Sequence, residues 1–343
     1  MPSPLTILAL NASTQDAAFD VVRSIDPGIA VQHAAYRTSW EEVSARRTGA
    51  PSPLPEELSD ELRAALARAE VIFAFVVPRD LRTLAPRLRW LATPATGIDH
   101  LRGTGILEAD NVLVTTVGGL FAPVIAEHVL LGMLHFTKHA AQFAAQQRAR
   151  QWKMLRVESL DGRSVGVVGV GSIGTAVARL AHAFGMHVTG LGRRPAADRR
   201  VPDVDRLLSR DELPQLLASA DYVVLAVADT PDTRHMIGRV ELAMMRPDAV
   251  LINVARGTVV DEAALIEALQ ARRIAGAVLD VFAQEPLPTD SPLWHLPHVL
   301  LTPHVAAYVT DYLPRAVVQF ADNVRRFLQG QPLVNRLDRA RGY

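Results

Sequence analysis

The chain has 343 residues, 49% hydrophobic and 21% charged, which is the composition of a folded protein with room for two domains. Basic and acidic residues number 36 each, so no overall field attracts nucleic acid or an anionic membrane, and neither is expected as a partner. The absence of cysteine excludes disulfides, thiolate metal sites and a cysteine nucleophile. The N-terminal segment MPSPLTILALNAS lacks a basic region before its short apolar run, and no apolar run is long enough to span a bilayer. A soluble cytoplasmic protein is therefore expected.

Short apolar runs of β type alternate with helical patterns along the whole sequence, which predicts parallel sheets covered by helices. In the first part, strands are expected at residues 5–10, 71–76 and 88–92, with a helix at residues 55–70 that begins on a proline and acidic residues. A more regular series begins near residue 102. Its predicted elements are strands at 111–116, 165–170, 187–191, 222–227, 250–254, 276–281 and 299–303, a long helix at 122–152 and a last helix at 313–329.

The strand at 165–170 runs directly into the segment GVGSIG, and a helical pattern follows at once. Gly169, Gly171 and Gly174 have the G-x-G-x-x-G spacing, which serves a tight turn, close approach to a pyrophosphate and close packing of helix on strand. The helix N-terminus at Ser172 and Ile173 would present backbone N–H groups to the phosphates. A glycine-rich turn without a ligand is the alternative, but the strand–turn–helix order favours a dinucleotide site.

The next strand ends in GLGRR, where many dinucleotide-binding proteins have an acid that accepts hydrogen bonds from the ribose of NAD. Gly192 leaves space at this point, and Arg193 and Arg194 offer planar donor groups suited to a phosphate. Two solvated loop arginines are the alternative interpretation in an arginine-rich protein. The missing acid favours NADP as the preferred cofactor, with NAD as the second option.

Three later segments begin or end at predicted strand ends, where open α/β sheets bind ligands. NVARGTVVDEAAL contains Arg256, LDVFAQEPLP contains Glu285 and LTPHVAAY contains His304. A histidine can transfer a proton near neutral pH, and a glutamate beside it can orient its ring. An arginine can bind a carboxylate and stabilise charge on a carbonyl oxygen. Taken alone, Arg256 could be a surface arginine, Glu285 a loop acid and His304 a histidine at a strand end.

Together with the glycine loop, TGIDHL at 96–101 and PVIAEHVLLGML at 123–134, these segments stand in a characteristic order. From about residue 71 to 337 the sequence resembles the D-isomer-specific 2-hydroxyacid dehydrogenases, particularly the glyoxylate/hydroxypyruvate reductase-like members. The resemblance implies an α/β fold of two doubly wound parallel-sheet domains with the active site in the cleft between them. The implied domains are a flavodoxin-like substrate domain at 1–101, completed by 305–343, and a Rossmann dinucleotide-binding domain at 102–304.

The resemblance also implies an activity and roles for individual residues. The activity is NAD(P)-dependent reduction of small 2-oxo acids to 2-hydroxy acids, with Arg256, Glu285 and His304 as catalytic residues. Arg256 and His304 would also bind the substrate, together with the backbone N–H groups of Thr96 and Gly97. Further cofactor contacts are implied at Val227, Thr233, Ala255 and Asp280.

The sequence departs from the family at residues 115–118, which are Thr-Thr-Val-Gly where the family often has Asn-Thr-Pro-Gly. The group accepted at C3 is therefore not defined. One alternative is a phosphite dehydrogenase, or a D-2-hydroxyacid dehydrogenase that accepts substrates with larger side groups. A nicotinamide-sensing, corepressor-like regulatory protein is an alternative of another class, because it would bind the cofactor without turnover.

Two further features lie on the predicted long helix. His128, His135 and His139 have a spacing that resembles a metal site, but helix packing explains them and no metal is expected. Trp152, near the end of the same helix, is expected at the interface of a homodimer.

Overall fold

The computed structural model of the protein describes residues 5–11, 13–36, 38–50, 57–193, 200–339 and 341–342. The fold consists of two compact units, one of Met1–Leu120 with Val309–Tyr343 and the other of Phe121–Tyr308. The chain passes from one unit to the other after residues 120 and 308, whereas the sequence prediction places the domain limits at 101 and 304. No helix in the described ranges is both long enough and apolar enough to cross a membrane.

The strands are β1 (Leu5–Leu10), β2 (Ile29–Ala34), β3 (Val71–Phe73), β4 (Trp90–Ala92), β5 (Leu113–Thr115), β6 (Ser164–Val168), β7 (His187–Leu191), β8 (Arg206–Leu208), β9 (Tyr222–Leu225), β10 (Val250–Asn253), β11 (Gly276–Leu279) and β12 (Val299–Leu301). The α-helices are α1 (Asp20–Arg23), α2 (Trp40–Thr48), α3 (Asp60–Arg68), α4 (Leu81–Leu84), α5 (Ala122–Thr137), α6 (Ala140–Arg148), α7 (Ser172–Ala183), α8 (Leu213–Ser219), α9 (Arg239–Met244), α10 (Glu262–Gln270) and α11 (Tyr312–Leu328). Short 3-10 segments lie at Ser13–Phe19, Asp99–Leu101, Arg210–Glu212, Gly257–Val259 and Pro292–His295.

Side-chain caps explain where several helices begin. The side chains of Ser39, Ser59 and Asp261 each accept a hydrogen bond from the backbone N–H three residues later, at the starts of α2, α3 and α10. The predicted helix at 55–70 therefore begins at Asp60 rather than at the proline, and residues 51–56 lie outside the described residues.

The first unit contains, among its described residues, a five-stranded parallel sheet in the order β2-β1-β3-β4-β5. This is the flavodoxin-like order of a doubly wound sheet. The apolar face of α11 packs on this sheet, where the Phe320 ring lies 4.9 Å from that of Phe73 and 5.0 Å from that of Trp90. The C-terminal helix therefore completes the unit that begins at the N-terminus.

The second unit contains, within the described ranges, a seven-stranded parallel sheet in the order β12-β11-β10-β9-β6-β7-β8. The sheet starts at β6 in the middle, builds outward to β8 and then returns to β9 on the other side of β6. This reversal between β6 and β9 is the topological switch point at which Rossmann folds bind ligands. The continuous apolar sequences of β9, β10 and β11 are explained because every residue in them is buried.

The strand predicted at 111–116 joins a different sheet from the one that the sequence order indicated. It forms β5, which pairs with β4 in the first unit, and the Thr115 hydroxyl accepts a hydrogen bond from the Trp90 indole at 2.9 Å. The position of an apolar strand in the sequence does not specify its partner, because pairing is decided by contacts with distant residues.

The predicted long helix at 122–152 is wrong, because the structure divides it into α5 and α6. The break falls at His139, whose φ of 51° lies in the left-handed region. Up to Thr137 the helix buries an apolar face that includes Val129 and Met133, whereas no residue of α6 is buried. The change in burial, rather than a proline or glycine, marks the break.

Two strands of the structure, β2 and β8, were not predicted. All six residues of β2 are only partly buried and include Gln32 and His33, while β8 is a three-residue edge strand. Neither has the apolar pattern of an interior strand, so the sequence alone does not distinguish them from loops.

Candidate active site

The glycine loop lies between β6 and α7, beside the switch point of the second sheet. Gly169 has φ of 101°, and a Cβ there would lie 2.6 Å from the carbonyl oxygen of Ala226. A Cβ at Gly174 would lie 1.9 Å from the carbonyl oxygen of Gly169, so helix and loop pack in contact. A Cβ at Gly171 would meet nothing within 4 Å. Two glycines are thus required by the protein itself, and the middle one faces open space.

This open space is next to the N-terminus of α7. The N–H of Thr175 donates to the carbonyl of Gly171 at 2.9 Å and forms the first bond of the helix. The preceding N–H groups, on Ser172, Ile173 and Gly174, have no acceptor within the helix. A pyrophosphate fits both features, because it needs close backbone approach and helix N–H donors.

The strand end beyond the glycine loop has no acidic side chain. The N–H of Gly192 donates to the carbonyl of Leu208 at 2.9 Å, and a Cβ at Gly192 would make only ordinary contact with Val170, at 3.6 Å. Arg193 is exposed. Arg194 lies outside the described residues.

The other predicted cofactor residues lie on loops near the glycines or the catalytic candidates. A Cγ of Val227 lies 2.8 Å from the position of a Cβ at Gly169. The Thr233 hydroxyl donates to the carbonyl of Ala228 at 2.6 Å and therefore shapes the loop after β9. Ala255 is buried beside Arg256.

Arg256, Glu285 and His304 follow three adjacent strands, β10, β11 and β12, at their carboxyl ends. The structure brings Glu285 and His304 into direct contact, with Oε2 of the carboxylate 2.8 Å from Nδ1 of the ring. Oε1 of Glu285 accepts the N–H of Phe282 at 3.1 Å. The glutamate is thus held by its own loop and fixes one nitrogen of the imidazole.

The loop of Arg256 is shaped by Asn253, which the sequence analysis missed. The Asn253 side chain accepts the N–H of Ala255 at 3.0 Å and donates to the carbonyl of Arg256 at 3.0 Å. A Cβ at Gly257 would lie 1.9 Å from the carbonyl carbon of Phe282, so the loops of Arg256 and Glu285 touch. A polar residue at the end of an apolar strand was the available signal for Asn253.

Asp280 organises the loop that carries His304. Its side chain is buried, and its carboxylate accepts the Thr302 hydroxyl at 2.7 Å and the N–H groups of Val305 and Ala306 at 2.8 and 3.0 Å. The N–H of His304 donates to the carbonyl of Asp280 at 2.8 Å. The contacts of Asp280 are with this loop, and its implied contact with the cofactor stays a prediction.

A second acid, Glu262, lies behind the loop of Glu285. It is the first residue of α10, and its carboxylate accepts the N–H of Ala283 at 2.9 Å. Burial raises the pKa of Glu262, and the negative charge of Glu285 raises it further. The sequence analysis missed this residue, although it stands in the same segment as Arg256.

The predicted substrate loop belongs to the first unit, where it follows β4. Thr96 is exposed and Gly97 is half-buried. The loop is anchored at Pro94, whose carbonyl accepts the hydroxyl of Tyr312, and at Ala95, whose carbonyl accepts the N–H of Val117 at 3.0 Å.

The histidines of the predicted long helix do not form a metal cluster. His128 lies against Thr302, with Nε2 and the hydroxyl oxygen 3.1 Å apart. In the part of the protein that the structure describes, no three His, Asp or Glu side chains are grouped so as to hold a metal ion.

A Rossmann-type sheet with a glycine loop at its switch point and a histidine–glutamate pair at the same edge is typical of a nicotinamide-dependent oxidoreductase. Residues 130–306 match the family model "D-isomer specific 2-hydroxyacid dehydrogenase, NAD binding domain". The chain is 38% identical over 279 residues to glyoxylate/hydroxypyruvate reductase B of Pectobacterium carotovorum, covering 78% of this chain and 85% of the relative. It belongs to the D-isomer specific 2-hydroxyacid dehydrogenase family.

Two solved structures resemble the whole chain. One is a D-isomer specific 2-hydroxyacid dehydrogenase from Xanthobacter autotrophicus Py2 in complex with NADPH and MES, with a TM-score of 0.79, 29% identity and coverage of 99% of this chain and 100% of that one. The other is an NADPH-dependent glyoxylate/hydroxypyruvate reductase from Sinorhizobium meliloti in complex with NADP and sulfate, with a TM-score of 0.78, 25% identity and the same coverage. The predicted family, the α/β fold with two parallel sheets and the class of NAD(P)-dependent dehydrogenase are confirmed.

Proposed function

We propose that this protein reduces small 2-oxo acids of the glyoxylate and hydroxypyruvate type to 2-hydroxy acids. The observation that carries the proposal is the 2.8 Å contact between Glu285 and His304 on loops adjacent to that of Arg256. The substrate class is supported by the Pectobacterium relative, which is named a glyoxylate/hydroxypyruvate reductase.

The chemistry follows from what each side chain can do. The hydride for C2 of the 2-oxo acid comes from the reduced nicotinamide when it is bound. His304 donates a proton from Nε2 to the C2 oxygen, while Glu285 holds the proton on Nδ1 and orients the ring. Arg256 binds the carboxylate and stabilises the charge that develops on the carbonyl oxygen. The backbone N–H groups of Thr96 and Gly97 also bind the substrate carboxylate.

The test is a spectrophotometric matrix of glyoxylate, hydroxypyruvate, pyruvate and phenylpyruvate against NADPH and NADH. His304→Ala and Arg256→Ala should each lower turnover at least about 100-fold, because each removes a group that acts in the transition state. NADPH binding should persist in both variants, since the glycine loop is unchanged. His295→Ala is the matched control, because this histidine is exposed and lies outside the candidate site.

The same matrix separates the alternatives. Turnover confined to phenylpyruvate, or phosphite-dependent reduction of NADP⁺ in the reverse assay, would reassign the substrate. Cofactor binding without turnover of any 2-oxo acid would indicate a nicotinamide-sensing regulatory protein. Near-normal turnover in His304→Ala would overturn the assignment of the catalytic residues.

For the cofactor we propose NADP as the preferred form, with NAD as the second option. Support comes from Gly192 in place of an acid, from the exposed Arg193, and from the bound NADPH and NADP of the two similar structures. Replacing Arg193 and Arg194 together by Ala should weaken NADPH binding about tenfold or more, because charge-assisted bonds to the 2′-phosphate are lost. NADH binding should change less than about twofold, and Arg200→Ala should leave both unchanged. Equal losses for the two cofactors would contradict the preference.

We further propose a cytoplasmic homodimer in which the second unit is the dinucleotide-binding domain and the first is the substrate domain. The cytoplasm is proposed as the location because it contains a pool of nicotinamide cofactors. Trp152 is 100% exposed and Met154 90% exposed, next to α6, in which no residue is buried. Large apolar side chains left in solvent together favour a partner, and a second copy is the commonest one.

A further inference from the structure

His128 on α5 is connected to the loop of His304 through two side chains. Its Nε2 lies 3.1 Å from the hydroxyl oxygen of Thr302, and that hydroxyl donates to the Asp280 carboxylate at 2.7 Å. A hydroxyl has one proton, and Thr302 donates it to Asp280, so the hydroxyl oxygen must accept a bond from Nε2–H of His128. The proton of the histidine ring is therefore required on Nε2.

Asp280 carries this connection to the backbone beside the catalytic candidate. Its carboxylate accepts the N–H groups of Val305 and Ala306, and its carbonyl accepts the N–H of His304. His304 itself has φ of 55°, which a residue with a side chain rarely adopts. Such a conformation persists only where the surrounding bonds hold it. Asp280 supplies the carbonyl acceptor for the His304 N–H and the carboxylate acceptors for the two residues that follow, while the Thr302 carbonyl lies 3.0 Å from the same N–H.

We propose that His128 is a positioning residue for the reduction. Through Thr302 and Asp280, it holds residues 302–306 in the conformation in which the His304 ring meets the substrate. An apolar side chain at position 128 could fill the same volume, but it would leave the Thr302 hydroxyl without this donor. The inference rests on the proposed function, in which His304 supplies the proton.

Two substitutions separate hydrogen bonding from packing. His128→Leu removes the donor, whereas His128→Gln retains an amide N–H. With the best 2-oxo acid, kcat should fall about fivefold or more in His128→Leu, because one hydrogen bond of the loop is lost, and should stay within about twofold in His128→Gln. The KM for NADPH should stay unchanged in both. His135→Leu is the matched control, because this half-buried histidine lies on the same helix and contacts the Phe136 ring edge.

Hydrogen–deuterium exchange gives a readout that does not depend on turnover. The Val305 and Ala306 amides should exchange about tenfold faster in His128→Leu than in the unaltered protein or in His128→Gln. Unchanged kcat in His128→Leu would overturn the proposal, whether or not exchange accelerates, and so would equal losses in the Leu and Gln variants. If the unaltered protein turns over no 2-oxo acid, the proposed function fails; unchanged exchange in His128→Leu would then show that the connection fails as well.

Discussion

The carboxylates of Glu285, Asp280 and Glu262 have different environments, and these environments separate their roles. Glu285 contacts the imidazole ring, and Asp280 accepts three hydrogen bonds from the loop that carries His304. Glu262 is half-buried and accepts a backbone bond from Ala283, and its partial removal from solvent raises the pKa of its carboxyl. The sequence indicates Glu285 as the acid beside the His304 ring, but it does not reveal that Asp280 binds the backbone of Val305 and Ala306 or that Glu262 accepts the N–H of Ala283.

The raised pKa of Glu262 predicts how stability depends on pH. The folded state binds this proton more tightly than the unfolded state, whose value is near 4.5. The resulting stabilisation is present below that pH and is lost as pH rises through the folded-state pKa. Glu262→Gln keeps an acceptor for the N–H of Ala283 and removes the ionisable group. The melting temperature of the variant minus that of the unaltered protein should therefore increase by about 2 °C or more from pH 4 to pH 8.

Glu267 on the same helix is the matched control for this measurement. The hydrogen bond with Arg239 lowers the pKa of the Glu267 carboxyl. The stabilisation that this carboxylate contributes is therefore present above the pKa of the unfolded state and is lost as pH falls. Glu267→Gln should therefore lose stability relative to the unaltered protein as pH rises. A melting-temperature difference for Glu262→Gln that stays constant with pH would contradict the role of its burial.

At the scale of elements, the glycine loop is the part that the sequence predicts best. A left-handed φ at Gly169 and the close approach at Gly174 depend on neighbours within the same strand–turn–helix segment or on the adjacent strand. The division of α5 from α6, in contrast, depends on where α5 stops being buried, which is set by the rest of the fold.

The loop geometry predicts opposite defects for two alanine substitutions. Gly171→Ala places a methyl group in open space, so the protein should keep its melting temperature but bind NADPH at least about tenfold more weakly, because the methyl occupies the space proposed for the pyrophosphate. Gly174→Ala forces a clash with the Gly169 carbonyl and should lower the melting temperature itself. Calorimetry and cofactor titration check both, and unchanged NADPH binding in Gly171→Ala would place the phosphates elsewhere.

At the scale of the whole molecule, the exposed apolar side chains after α6 predict an oligomer. Light scattering should give twice the chain mass of 37.3 kDa. Trp152→Ala combined with Met154→Ser should raise the dimer dissociation constant at least about tenfold, because two exposed anchors are lost. Trp294→Ala is the control: this tryptophan is 51% exposed in the same unit, and its replacement should leave the dimer dissociation constant unchanged. A monomer at micromolar concentration would contradict the proposed dimer.

The sequence by itself determined the family, the parallel α/β class and the order of the motifs, because glycine spacing and apolar runs are local patterns that survive without knowledge of distant contacts. Tertiary structure alone decided that β5 pairs with β4 and that Asp280 connects Thr302 to the backbone of Val305 and Ala306. Each of these depends on which segments become neighbours in space. That choice is made by burial and strand pairing across the whole unit, so no short stretch of the sequence contains it.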